Sequence, residues 1–178
     1  DAWVVVNGTL RNWIQRTWDI TEYDQYIGGK SGGAGVGYGL GGAIGGALAY
    51  EATDRIPINL LADGGLMQFM SGLWTIAHLD LPLFTLVHNN QTLYNSTEHR
   101  MNLADHRDRD DSYDRALIGT GLTDPTPDYA TIAEGNGITG YGPVTDPTDL
   151  KPTLKDAWAD VKDGDPVLVD VVAQPRSP

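Results

Sequence analysis

The sequence predicts an α/β fold: a doubly wound, mainly parallel sheet with helices on both faces. Three observations predict it. Short apolar runs at residues 3–6, 58–61, 83–87 and 167–172 are continuous rather than alternating, as strands buried on both faces require. Helix-like stretches at 9–18, 35–50, 66–78 and 148–161 separate them. Strands alternating with helices imply right-handed crossovers within one sheet.

The elements read in order as follows. The first strand is Trp3-Val4-Val5-Val6. After the first helix-like stretch comes a glycine run, Gly28 to Gly45, which passes into an Ala/Gly-rich helix. The second strand ends in Ala62-Asp63-Gly64-Gly65, and a helix follows. Pro82 precedes the third strand, which ends in His88-Asn89-Asn90-Gln91-Thr92. Residues 98–115 are densely charged with both signs, which predicts a solvated helix or loop. Thr126-Pro127-Asp128 and Asp146-Pro147-Thr148-Asp149 read as helix starts, with the polar residue before each proline as the N-cap. Residues 138–142 form a short further strand, and 167–172 closes the sheet.

At 178 residues with 40% apolar content, the chain is one domain with one core. It carries no cysteine, which excludes disulfides, thiol nucleophiles and Cys-ligated metals. A net charge of −12 repels nucleic acid and anionic membranes. The acidity comes from Asp far more than from the four Glu: Glu22, Glu51, Glu98 and Glu134. No apolar stretch is long enough to span a bilayer, and no secretory leader opens the chain, so a cytoplasmic location is expected. The abrupt start at Asp1, directly before a strand, suggests a piece of a longer polypeptide or a processed one.

The chemistry concentrates between Ile58 and Tyr94. Two polar clusters each follow an apolar strand, at the sheet edge where open α/β folds bind ligands. Asp63 offers a hard anionic oxygen and Asn90 a neutral one, which suits magnesium completed by phosphate oxygens and water. Gly64 and Gly65 open a helix and allow backbone N–H groups to approach an anion. The spacing of 27 residues from Asp63 to Asn90 is one crossover, so both come from neighbouring strands.

This pair resembles the motif of thiamine diphosphate enzymes, Gly-Asp-Gly followed one crossover later by Asn or Asn-Asn. Ala62 stands where the first Gly is usual. The upstream glycine run extends the resemblance to the acetolactate synthase/benzoylformate decarboxylase branch and its C-terminal, diphosphate-binding domain, here residues 1–178. The resemblance implies the thiamine diphosphate-binding fold, with Mg²⁺ held by Asp63, Asn90 and the carbonyl of Thr92. It implies cofactor contacts at Gly35, Val36, Gly37, Asp63, Gly64, Gly65, Asn90, Thr92, Leu93 and Tyr94. Val36 falls where the family places the apolar wedge that bends the cofactor.

The implied activity is that of a lyase or transferase, a decarboxylase or carboligase acting on a 2-oxoacid. The family's activating Glu lies on a pyrimidine-binding domain, and none of the four Glu here has its context. The chain is therefore expected to be active only with that domain, from the same or a neighbouring subunit, in a homo-dimer or homo-tetramer. FAD is compatible with the full enzyme. The alternatives are the small subunit of a split decarboxylase and a non-catalytic cofactor-binding homologue.

Tyr94, Asn95, Glu98 and His99 are the candidates for bordering substrate, with His88, Gln25, Tyr26 and Tyr38 nearby. Leu93-Tyr94-Asn95 departs from the Gly-Met usual in true acetolactate synthases, which favours a divergent decarboxylase or carboligase. Competing motifs are weak. Gly37-Tyr38-Gly39-Leu40-Gly41-Gly42 fits G-x-G-x-x-G, but no strand feeds it. Gly29-Lys30-Ser31 lacks the first P-loop glycine, and Ser31 with His78 or His88 lacks a nucleophile elbow.

Overall fold

The computed structural model describes residues 3–8, 13–27, 37–110 and 112–173. Five strands form one sheet: β1 (Trp3–Gly8), β2 (Ile56–Ala62), β3 (Phe84–Asn89), β4 (Thr139–Val144) and β5 (Val167–Val172). Their order is β1-β2-β3-β5-β4, and every pairing is parallel. The doubly wound α/β reading holds, and the described sheet is wholly rather than mainly parallel.

Among the described residues eight helices flank the strands: α1 (Trp13–Thr17), α2 (Tyr38–Tyr50), α3 (Asp63–Met67), α4 (Ser71–His78), α5 (Tyr94–Asp105), α6 (Tyr113–Ala116), α7 (Tyr129–Glu134) and α8 (Pro147–Asp163). Continuous apolar strands bury side chains on both faces, and two cores result. One joins Leu61 and Val87 to Leu40, Ala43, Leu66, Leu73, Ile76 and Tyr129, from α2, α3, α4 and α7. The other joins Leu60, Phe84 and Val169 to Ile14 of α1 and Ala157 and Val161 of α8.

Two sequence expectations are corrected. The single helix expected at 66–78 is two, α3 and α4. The break seats Phe69 against glycines: a Cβ on Gly72 would lie 2.8 Å from Leu40 Cδ2 and 2.9 Å from Phe69 Cε1. The cap of α7 is Asp128 rather than Thr126, because its carboxylate accepts the Thr131 N–H at 2.9 Å and the Thr131 hydroxyl at 2.8 Å. Within the described residues the first helix begins at Trp13; residues 9–12 lie outside them. Asp146 caps α8 as its sequence predicts, accepting from Thr148 N–H at 2.8 Å.

Candidate functional site

β2 and β3 are parallel neighbours, with Ala62 opposite His88. The residues just beyond, Asp63 and 90–92, therefore meet at the C-terminal edge of the sheet. Asp63 is the first residue of α3 and is fully buried. Its Oδ1 accepts the Gly64 N–H at 2.7 Å. Burial pushes the carboxyl up to about 6, against the N–H groups of Gly64, Gln91 and Thr92, which pull it down; nearby Asp170 adds repulsion.

One head atom of the Asn90 amide lies 3.1 Å from Asp63 Oδ1 and 2.8 Å from the Thr92 carbonyl oxygen. With nitrogen at that position, the amide donates to both oxygens. With oxygen there, it accepts the Thr92 N–H at 3.3 Å and faces two further oxygens, an arrangement that a cation would stabilise. Adjacent oxygens around octahedral magnesium, bound at 2.0–2.1 Å, lie about 2.9 Å apart. The two distances from the Asn90 atom are close to that edge. Among the described residues no group of three or more His, Cys, Asp or Glu converges to hold a metal. The donor set is one carboxylate, one amide and one carbonyl, which suits magnesium completed by phosphate.

The loop presenting Asn90 and Thr92 is held from several sides. Gln91 adopts a left-handed φ of 58°, uncommon for a side chain of its kind. Its N–H donates to Asn89 Oδ1 at 3.3 Å, and its carbonyl accepts Leu122 N–H at 2.8 Å. The side chain of Thr92 turns inward, leaving its carbonyl for the site. Its hydroxyl lies 3.1 Å from that of Thr97, which donates to Thr120 Oγ1 at 2.8 Å, and Thr120 donates to the Ala116 carbonyl at 2.7 Å. Leu93, the N-cap of α5, packs on α3: a Cβ on Gly64 would lie 2.2 Å from Leu93 Cδ2. Gly64 is thus bare because the two loops touch there. Gly65 faces Leu61, with 3.1 Å to Cδ1 for a Cβ.

The structure brings together Asp63, Gly64, Asn90, Thr92 and Leu93, with Gly65 and Tyr94 in the two helices they open. Gly37 caps α2 with φ 98°, and a Cβ there would lie 3.0 Å from Gln68 Cβ, just past α3. Gly35 and Val36, like the rest of the glycine run at 28–36, lie outside the described residues. Gln25 serves its own turn, accepting from the N–H groups of Thr21 and Glu22, and Tyr26 packs into the second core. Asn95 and His99 are exposed on α5, whereas Glu98 and His88 are half-buried. His78 stacks on Trp74 at 4.6 Å, at the end of α4 that leads into the start of β3 and away from Asp63. The G-x-G-x-x-G match covers the Gly37 cap and the first residues of α2.

Sequence reasoning missed the polar layer beneath the loop. Asp170 in β5 is fully buried and accepts Asn89 Nδ2 at 3.0 Å. Tyr129, also fully buried, leaves its hydroxyl without a partner, and burial beside Asp63 and Asp170 drives its pKa well up. An Asp inside Val167–Val172 was the available signal.

The model of the thiamine pyrophosphate enzyme C-terminal TPP-binding domain matches residues 7–171. A Mycobacterium tuberculosis protein named as an acetolactate synthase large subunit, IlvX, is 34% identical over 124 residues, which are 70% of this chain and 23% of that protein. The thiamine diphosphate-dependent 4-hydroxybenzoylformate decarboxylase of Rhodococcus jostii RHA1 superimposes with a TM-score of 0.76 at 25% identity, over 99% of this chain and 30% of that one. The benzoylformate decarboxylase of Polynucleobacter necessarius shares the fold, with a TM-score of 0.73 at 19% identity over 99% and 31%. The chain thus spans under a third of the length of each of these relatives.

Proposed function

This chain belongs to the thiamine pyrophosphate enzyme family, as its C-terminal TPP-binding domain, and we propose that it supplies the Mg²⁺–diphosphate half of the active site of a 2-oxoacid decarboxylase or carboligase. The observation that carries the reading is the Asn90 amide head atom placed 3.1 Å from Asp63 Oδ1 and 2.8 Å from the Thr92 carbonyl oxygen. In this reading the three oxygens hold Mg²⁺, and Gly64 and Gly65 offer backbone amides beside the phosphates. Leu93 and Tyr94 border the cofactor from the start of α5, and Gly35, Val36 and Gly37 approach it from the glycine run.

Thiamine diphosphate, when bound, supplies the carbon nucleophile that attacks a 2-oxoacid carbonyl. This chain's residues bind and orient. Buried Asp63 must be ionised to hold a cation, and its N–H partners on Gly64, Gln91 and Thr92 favour that state. No group described here takes the place of the activating Glu, so the pyrimidine-binding domain of the same or a neighbouring subunit completes the site. We read the assembled enzyme as a cytoplasmic homo-dimer or homo-tetramer and assign no residue of this chain to FAD. No described helix is long and apolar enough to cross a membrane. The intact donor set disfavours a non-catalytic homologue.

Calorimetric titration with thiamine diphosphate, with and without Mg²⁺, tests the reading in the presence of the pyrimidine-binding partner, alongside a 2-oxoacid screen for CO₂ release. Binding should require Mg²⁺, and Asp63→Ala should abolish the requirement together with the binding. Unchanged affinity in Asp63→Ala, or decarboxylation by the isolated chain, refutes it.

A further inference from the structure

Asp170 is the one charged residue of β5, in a run otherwise of Val and Leu. Valine at this position would suit the core, whereas a buried carboxylate is costly. Its Oδ2 is buried without a hydrogen-bond partner. Its Oδ1 accepts Asn89 Nδ2 at 3.0 Å, and the backbone N–H of Tyr129 also faces the carboxylate.

The bond to Asn89 fixes which way the Asn89 amide faces. A carboxylate accepts only, so Asn89 must present its NH₂ to Asp170 and its oxygen to the other side. The oxygen accepts the Gln91 N–H at 3.3 Å, an N–H that also faces Asp63. Gln91 is the left-handed residue of the loop, and the chain leaves it directly into Thr92. Reversing the Asn89 amide would set an NH₂ against the Gln91 N–H and release the turn.

We propose that Asp170 is a positioning residue for the metal loop: through Asn89 it locks the Gln91 turn, so that the Asn90 amide and the Thr92 carbonyl face Asp63. Asp170 does not itself reach the three oxygens. The inference rests on the Mg²⁺–diphosphate reading for its purpose, but the relay itself exists without metal.

The test uses the full chain, with the pyrimidine-binding partner present for the metal measurement, and three variants. Asp170→Val deletes the acceptor and keeps the core apolar. Asp170→Asn keeps an oxygen for Asn89. Asn89→Ala breaks the relay from its other end, should Asp170→Val not fold. The first readout is hydrogen exchange at the Gln91 amide without metal. The second is the affinity for Mn²⁺ plus thiamine diphosphate, read as free Mn²⁺ by electron paramagnetic resonance.

In Asp170→Val, Gln91 exchange should quicken several-fold to about tenfold, the equivalent of one net hydrogen bond. Mn²⁺ affinity should fall about ten- to hundredfold, as for loss of a residue that orients a metal ligand. Asp170→Asn should preserve both, and adding Asn89→Ala to Asp170→Val should cost little more. Unchanged Gln91 exchange in both Asp170→Val and Asn89→Ala overturns the relay whether or not the wild type binds Mn²⁺. Additive losses in the double variant, or an Asp170→Asn as damaged as Asp170→Val, overturn it too. A wild type that binds no Mn²⁺ defeats the metal reading alone, and faster Gln91 exchange then still upholds the relay.

Discussion

Replacing Asp63 by Asn keeps the side chain's shape and removes its charge. In the folded chain burial pushes this carboxyl from 3.8 up to about 6. That gap corresponds to about 3 kcal/mol at pH 7. The sign follows from proton uptake: the folded state holds the proton more tightly than the unfolded one, so ionised Asp63 destabilises the fold above pH 6. The amide accepts the surrounding N–H groups less well, which reduces the expected gain to about 1–2 kcal/mol. Metal-free Asp63→Asn should therefore be the more stable protein at pH 7.5. As pH falls from 6 through 3.8 the wild type takes up its proton, and the difference should vanish. Adding Mg²⁺ and thiamine diphosphate should invert the order, because only the wild type gains binding energy. Urea unfolding in EDTA at pH 7.5 and pH 4, repeated with both ligands, measures all three points. A variant no more stable than wild type at pH 7.5, or an equal gap at both pH values, refutes the reasoning.

Two glycines make further predictions. Gly64→Ala places a methyl 2.2 Å from Leu93 Cδ2. Overpacking of about 1–3 kcal/mol opposes a helix-propensity gain of about 1 kcal/mol. Stability should change little, while Mg²⁺-dependent cofactor affinity falls as Leu93 and the loop move; Leu93→Ala should restore part of it, measured by calorimetry. Gly140→Ala meets the Ala130 carbonyl oxygen at 2.4 Å, a backbone atom that has no rotamer to change. It should cost about 3 kcal/mol or more, seen as a fall of several degrees in the melting temperature. A melting temperature equal to wild type would count against the α7–β4 packing described here.

The site was legible where chemistry and topology coincide in few residues. Asp63 and Asn90 each follow an apolar strand, and one crossover separates them, so adjacency followed from spacing alone. The carbonyl of Thr92 was reachable only through the family resemblance, since a backbone oxygen leaves no mark in sequence. What holds the loop was illegible for a physical reason: its partners are distant in the chain. Thr120 lies 28 residues from Thr92, and Asp170 lies 81 from Asn89. The break between α3 and α4 was hidden because Leu66, Met67, Phe69, Met70 and Leu73 keep the apolar pattern running through it. At the break Phe69 lies against Gly41 and Gly72.

The winding of the sheet explains why the polar layer lies on one face. From β1 to β4 the strands advance in one direction across the sheet, and right-handed crossovers then put α2, α3, α4 and α7 on the same side. The path reverses after β4, so α8 crosses on the opposite side and β5 inserts between β3 and β4. That reversal brings Val87 opposite Asp170 and Asn89 opposite Val172. A chain that kept advancing would have set β4 beside β3, and β4 offers Thr139-Gly140-Tyr141-Gly142-Pro143-Val144, with no acid to orient Asn89. The reversal also delivers, from the end of the sequence, the carboxylate that sits behind the loop of Asn90 and Thr92.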